Sequence, residues 1–246
     1  MAAFVDHLVK QLRTSRLYGF AKSNPILVKM KRKYDKAQYQ KQQASVHEYG
    51  MQMLTYMKEA FAEIGEEFWL DYGTLLGAVR EKDFIGHDKD LDIGCFHFDD
   101  EKKKQLVQIL DKKGVKLYKQ FEMNGMIYEQ AFHLNNLHMD IFYYWYANES
   151  QIWCYFSEIG PNMEFENHSV YQIAKGYRTS KVTSSFTGLM DYEFKGATFK
   201  IPANYHEYLV DNYGTTYMIK DENWITGESP DNIERVDQSV IVKEYF

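Results

Sequence analysis

Residues 70–94 read LDYGTLLGAVREKDFIGHDKDLDIG, and the punctuation of this stretch decides the fold around it. The preceding residues and its start, EEFWLDYG (66–73), predict a short strand stopped at Gly73. TLLGAVREK (74–82) predicts a short helix with Thr74 at its start. DKDLDIGCFHF (88–98) alternates and is rich in apolar residues, which predicts a second strand. Residues i and i+2 of a strand share a face, so Asp88, Asp90 and Asp92 would converge. Like charges crowded on a half-buried strand repel one another, and a divalent cation relieves that repulsion. Oxygen-only ligands favour Mg2+ or Mn2+ over zinc, and such an ion commonly acts on phosphates.

A lone Asp-x-Asp is often only a solvated acidic loop, and three features argue for more. Apolar Leu91 and Ile93 interleave with the acids, as on a strand. A strand-Gly-Thr-helix turn precedes them, and backbone N–H groups at a helix start can cradle phosphate. A further acid, Asp140, lies in the apolar run MDIFYYW (139–145), where an unpaired carboxylate is costly. His138 would share its face.

Outward from this centre, SVHEYGMQMLTYMKEAFAEI (45–64) repeats apolar residues at helical spacing and ends near Gly65. EKKKQLVQILDKK (101–113) predicts an amphipathic helix. From 115 to about 158 the chain is strand-like, with turns at Asn124-Gly125 and Asn135-Asn136. Residues 186–201 predict a hairpin turning at Lys195-Gly196. Asn204 to Tyr213 predicts a helix ended by Gly214, and the tail from 221 reads as weakly structured. The plan is α+β.

Composition narrows the function. The net charge of −6 conceals a split: residues 1–43 carry ten Lys/Arg against two acids, leaving −14 for the rest. An acidic body argues against nucleic acid as a partner. The basic segment 1–43, with 27–43 bridging it to the body, predicts a helical arm. That arm either touches an anionic membrane surface or packs as an ordinary solvated helix. Two cysteines without ligand spacing exclude a disulfide scaffold and a cysteine-built zinc site. The absence of a signal peptide or an apolar run of membrane-spanning length places the chain in the cytoplasm, as an expectation, at most peripheral on the inner face of the membrane.

The stretch quoted first resembles the signature of the LicD/fukutin family. Leu75-Leu76-Gly77-Ala78-Val79-Arg80, then Phe84-Ile85 with Asp88, Asp90 and Asp92, then Asp140-Ile141-Phe142 follow its order. FKIPANYHEYLVDNYG (199–214) is similar to its C-terminal segment. One departure is His87, where many members carry Trp. The resemblance implies a nucleotidyltransferase-like fold of the polymerase-β type, a mixed sheet core flanked by helices, over residues 44–246. It implies a metal-dependent phosphotransferase that moves a phospho-alcohol from a CDP-linked donor to a glycan or lipid-linked oligosaccharide. By the same resemblance, Asp90, Asp92 and Asp140 would be catalytic and hold Mg2+ or Mn2+, with Asp140 completing the metal site or accepting a proton. Gly73, Thr74, Arg80, Asp88 and His87 would meet substrate. Structural alternatives stand beside some of these roles: Arg80 pairing with Asp83 or Asp88, Asp71 capping the turn, and Asp88 supporting the ligands from behind. A sugar-nucleotide-dependent glycosyltransferase and a non-catalytic module of a polysaccharide assembly are the rival functions.

Overall fold

In the computed structural model, which describes residues 24–220 and 232–246, an Asn-Pro pair starts the first described helix. The Asn24 side chain accepts a hydrogen bond from the N–H of Ile26 at 3.0 Å, and Pro25 occupies the first helical position, where a missing N–H costs nothing. The resulting helix α1 (Pro25–Ile64) runs 40 residues, about 60 Å, and ends where Gly65 takes a φ of +72°. The helix expected over 45–64 is thus half of a longer one. The boundary drawn between residues 43 and 44 falls inside it, and residues 1–23 lie outside the described residues. From Val46 onward α1 buries Met53, Leu54, Met57 and Phe61 in the core. Before that it is largely exposed and polar. Among the described residues no helix is long and apolar enough to cross a membrane.

The centre of the fold follows the predicted order. β1 (Trp69–Leu70) leads into α2 (Tyr72–Leu76), which continues as a π-helical turn (Gly77–Glu81). β2 (Asp90–Phe96) and α3 (Asp100–Lys112) follow, with Asp99 capping α3 through the N–H of Lys102. Strands β3 (Lys116–Met123), β4 (Met126–Leu134) and β5 (Leu137–Asn148) form a meander. Asn124 and Asn135 adopt positive φ in the two predicted turns. β6 (Gln151–Glu158), β7 (Glu164–Asn167), β8 (Tyr171–Lys175) and β9 (Arg178–Ser185) come next. The hairpin of β10 (Leu189–Phe194) and β11 (Ala197–Pro202) turns at Lys195-Gly196 as expected, and α4 (Tyr205–Tyr213) ends at Gly214. β12 (Ile233–Val236) and β13 (Val240–Tyr245) close the chain.

These strands make one mixed sheet in the order β10-β11-β1-β2-β5-β4-β3-β13-β8-β7. β2 runs parallel to β5 and β1 parallel to β11; the other pairs are antiparallel. The far end of β5 leaves the main sheet to pair with β6, which carries β9 and β12. Two expectations are corrected here. Asp88 lies in the turn before β2 rather than on the strand. Of the tail expected from 221 to be weakly structured, 221–231 lie outside the described residues, and 232–246 are more ordered than their polarity suggests. β13 sits inside the sheet between β3 and β8, burying Val240 and Val242 against Phe121, Met123, Tyr128 and Ala174.

Candidate active site

Burial of Asp71 organises the site. Its carboxylate is fully enclosed and accepts hydrogen bonds from the hydroxyls of Tyr144 and Tyr208, each at 2.7 Å, and from the N–H of Tyr72 at 2.8 Å. Asp71 is therefore the cap of α2, and it ties β5 and α4 to the turn. Burial pushes its pKa up to about 6 against the lowering effect of those three donors. It does not reach the cavity described below. Tyr72 is held at a φ of +35°, a costly conformation for an aromatic residue, with its ring packed on Phe142 and its hydroxyl 3.3 Å from the Cys154 sulfur.

This turn aims α2 at the acids. The N–H of Gly73 donates to Asp92 Oδ2 at 3.2 Å, and the N–H of Asp92 donates to the Thr74 hydroxyl oxygen at 2.8 Å. Alternation along β2 sends Leu91, Ile93 and Cys95 into the core and leaves Asp90 and Asp92 half-buried on the other face. β5, running parallel beside it, sets Asp140 opposite Asp92 and His138 opposite Asp90.

Asp88, Asp90, Asp92 and Asp140 line one cavity of about 880 Å³, together with Gly73, Arg80 and His87. The structure thus brings together every predicted site residue except Thr74. Thr74 is buried, with its hydroxyl turned to β2, so it positions Asp92 and does not face the cavity. Arg80 pairs with neither Asp83 nor Asp88. It bonds Glu81 at 3.0 Å and the Tyr217 carbonyl at 3.1 Å, while Asp83 pairs with Lys195. His87 is half-exposed, and its carbonyl accepts from Tyr39 and Gln43 of α1, so the helix that spans the expected domain boundary braces the acidic loop.

The acids repel one another. Burial raises Asp92 well above the usual carboxylate range, and the charges of Asp90, Asp140 and Asp88 add to it. Burial and then Asp90 bring Asp88 and Asp140 each to about 7, while burial raises Asp90 against the pull of Lys89. Among the described residues no three His, Cys, Asp or Glu side chains form a ready-made cage for an ion. The oxygen-only donors share one wall, and their crowding is what a hard divalent cation relieves.

Gly73 has no room for a side chain. A Cβ there would lie 2.8 Å from Asp88 Oδ2 and 3.4 Å from Asp92 Oδ2. Gly73→Ala is expected to displace Asp88 and lower turnover roughly 10–100-fold, with the melting temperature falling by only a few degrees. Kinetics and thermal unfolding on the same preparation check this, and near-normal turnover would contradict it.

The cavity also holds residues that the sequence reading passed over. Lys119 from β3, Glu129 from β4 and Tyr177 from the β8–β9 connection line it, with Tyr39 and Gln42 of α1 and Tyr213 of α4. Glu129 carried a visible signal: like Asp140, it is a carboxylate inside an apolar strand run, MIYEQAFHL (126–134).

The model of the family described as LicD/FKTN/FKRP, nucleotidyltransferase domain, matches residues 65–204. The ribitol-5-phosphate transferase FKTN of Mus musculus is 26% identical over 184 residues, 74% of this chain and 36% of that protein. Its Homo sapiens counterpart is 25% identical over the same length. The chain spans about a third of the length of these curated relatives. Among solved structures, the antibiotic-resistance factor ANT(2'')-Ia in solution gives a TM-score of 0.40 at 14% identity, covering 73% of this chain and 78% of that one. The family match takes in more than half of the chain, including the Gly73 turn, the acidic loop and Asp140, and the chain therefore belongs to the LicD/FKTN/FKRP nucleotidyltransferase-domain family.

Proposed function

We propose that this chain transfers a phospho-alcohol, such as ribitol phosphate or phosphocholine, from a CDP-linked donor to a hydroxyl of a glycan or lipid-linked oligosaccharide. The observation that carries the reading is the pairing of Asp92 with Asp140 on adjacent parallel strands, facing one cavity beside the start of α2. The activity in the relatives' name, ribitol-5-phosphate transfer, supports the choice of a polyol phosphate.

Asp90, Asp92 and Asp140 would hold Mg2+ or Mn2+, and the bound ion would neutralise the crowded carboxylates and draw charge from the donor's diphosphate. Arg80, which lines the same cavity, offsets negative charge on the phosphate oxygens. Asp71 and Gly73 fix the position of Asp92, and Tyr39 and Gln43 fix the loop that carries Asp88. In the reaction the acceptor oxygen bonds to the phosphorus of the alcohol phosphate. The bond from that phosphorus to the bridging oxygen breaks, and CMP leaves with the electron pair. The acceptor's proton passes to Asp140. Such chemistry asks the protein chiefly for positioning and charge neutralisation.

With Mg2+ or Mn2+ present, CMP should be released from CDP-ribitol, CDP-choline or CDP-glycerol. UDP- and GDP-sugars should be left intact. Release of a nucleoside diphosphate from a sugar nucleotide would make the chain a glycosyltransferase. Inertness toward all donors would make it a binding module.

A further inference from the structure

Counting across the sheet from Asp92, one rung runs Asp92, Asp140, Ala131, Lys119, Glu244 on β2, β5, β4, β3 and β13. Alternation puts Glu129 on the same face of β4 as Ala131, and Phe121 opposite it on β3. Strands lie about 4.8 Å apart, so Glu129 stands one strand from Asp140 and Lys119 two strands away. The cavity continues over this floor, where the methyl group of Ala131 is the small member of the rung.

Three properties set this half of the cavity apart from the acidic half. First, Glu129 is 5% exposed, and its Oε2 has no hydrogen-bond partner among the described residues. A buried carboxylate oxygen left unpaired costs free energy that a ligand's donor would recover. Second, the nearby cation is already engaged. Lys119 bonds Glu244 Oε1 at 3.2 Å and the Tyr177 hydroxyl at 3.2 Å, and its charge acts on Glu129 without a hydrogen bond to Oε2. Third, the surrounding wall is aromatic, with Tyr118, Phe121 and Tyr177. Aromatic faces suit the C–H surfaces of sugars and polyols, and a carboxylate suits their hydroxyl groups. The donor's diphosphate belongs on the Arg80 side of the cavity, beside the acids that would hold the ion.

We propose that Tyr118, Lys119, Phe121, Glu129 and Tyr177 form the acceptor subsite, which takes an uncharged sugar or polyol whose hydroxyl donates to Glu129. Naming this ligand the acceptor rests on the transfer reading above. Glu244 and Tyr177 act here through Lys119, and β13, which supplies Glu244, lies outside the residues matched by the family. The C-terminal strand thereby helps to shape which acceptor fits.

The test is a ligand-observed NMR titration of the full chain with ribitol, glycerol, methyl β-D-galactopyranoside and methyl α-D-glucopyranoside. It is run on the wild type, Glu129→Gln and Asp90→Asn, with Mn2+ affinity measured on each by water-proton relaxation. At least one probe should bind the wild type. Glu129→Gln should weaken that binding tenfold or more while changing Mn2+ affinity less than twofold, which also shows that the variant is folded. Asp90→Asn should lose Mn2+ affinity and keep the probe. Equal probe binding in wild type and Glu129→Gln overturns the subsite, as does absence of any probe binding to the wild type. Loss of Mn2+ affinity in Glu129→Gln overturns it too, by making Glu129 an ion ligand. If the Glu129 result holds but no CDP donor is ever turned over, the transfer reading falls and the hydroxyl-binding subsite stands.

Discussion

Asp92→Asn is expected to abolish transfer and, without a divalent ion, to raise the melting temperature. Asp92 is the most crowded of the four acids, pressed by burial and by Asp90, Asp140 and Asp88. Asn has the same shape and can still accept the Gly73 N–H. It removes a charge that the folded state tolerates poorly, which should raise the melting temperature by several degrees. It also removes an ion ligand and an essential charge, so turnover should fall at least about a thousandfold. The sign with pH follows from the raised carboxyl. The folded protein holds that proton more tightly than the unfolded chain does, so the stabilisation is complete below about pH 4 and is lost as pH rises. The gap between variant and wild type should therefore vanish near pH 4 and open toward neutrality. Added Mg2+ should stabilise the wild type and leave the variant unmoved. Thermal unfolding from pH 4 to 8, with and without Mg2+, together with turnover, measures all of this. A variant that keeps a tenth of its activity, or that melts lower at neutral pH without metal, would refute it.

Much of the centre could be read in the chain because its signals are local. Glycines, an acid-apolar alternation and Asn-containing turns fix β2, the meander and the β10–β11 hairpin from neighbouring residues alone. Asp140 could be picked out because a carboxylate in a buried strand needs a reason, and β2 supplies one by pairing Asp92 with it. What was missed depends on contacts far apart in sequence. The Thr74 hydroxyl faces β2 because Asp92 offers an N–H 18 residues away, and no short pattern announces that. β13 looks like a polar tail until β3 and β8 flank it, and the Lys119 and Glu244 side chains meet only after that insertion. The first half of α1 reads as a linker because residues 31–43 are polar and basic and carry no apolar repeat. Its capping pair, Asn24-Pro25, is visible only to a reader who looks before the apolar repeat begins.

The second large effect is structural and sits just behind the chemistry. Asp71→Ala should cost roughly 3–5 kcal/mol, because it removes the cap of α2 and the shared acceptor of two buried tyrosine hydroxyls. That corresponds to a fall of about 10 °C or more in melting temperature. Asp71→Asn should behave differently. Its oxygen can accept from Tyr72 N–H and the Tyr208 hydroxyl, and its amide can donate to the Tyr144 oxygen. That hydroxyl lies 2.9 Å from the Tyr208 oxygen and can turn toward it. The amide also escapes the cost of a buried charge. With the folded carboxyl pushed up to about 6, wild-type stability from this group is full below about pH 4 and is lost as pH rises through 6. The difference is worth roughly 3 kcal/mol. Neither variant carries the titrating carboxyl, so both should gain on wild type by the same amount between pH 4 and 7, with Asp71→Ala starting well below wild type at pH 4 and staying below Asp71→Asn throughout. Denaturant midpoints at pH 4, 5, 6 and 8 would show this as two curves that rise in parallel against wild type. Because Asp71 does not reach the cavity, Asp71→Asn should keep turnover within a few fold. A hundredfold loss at an unchanged midpoint would instead place Asp71 in the reaction itself.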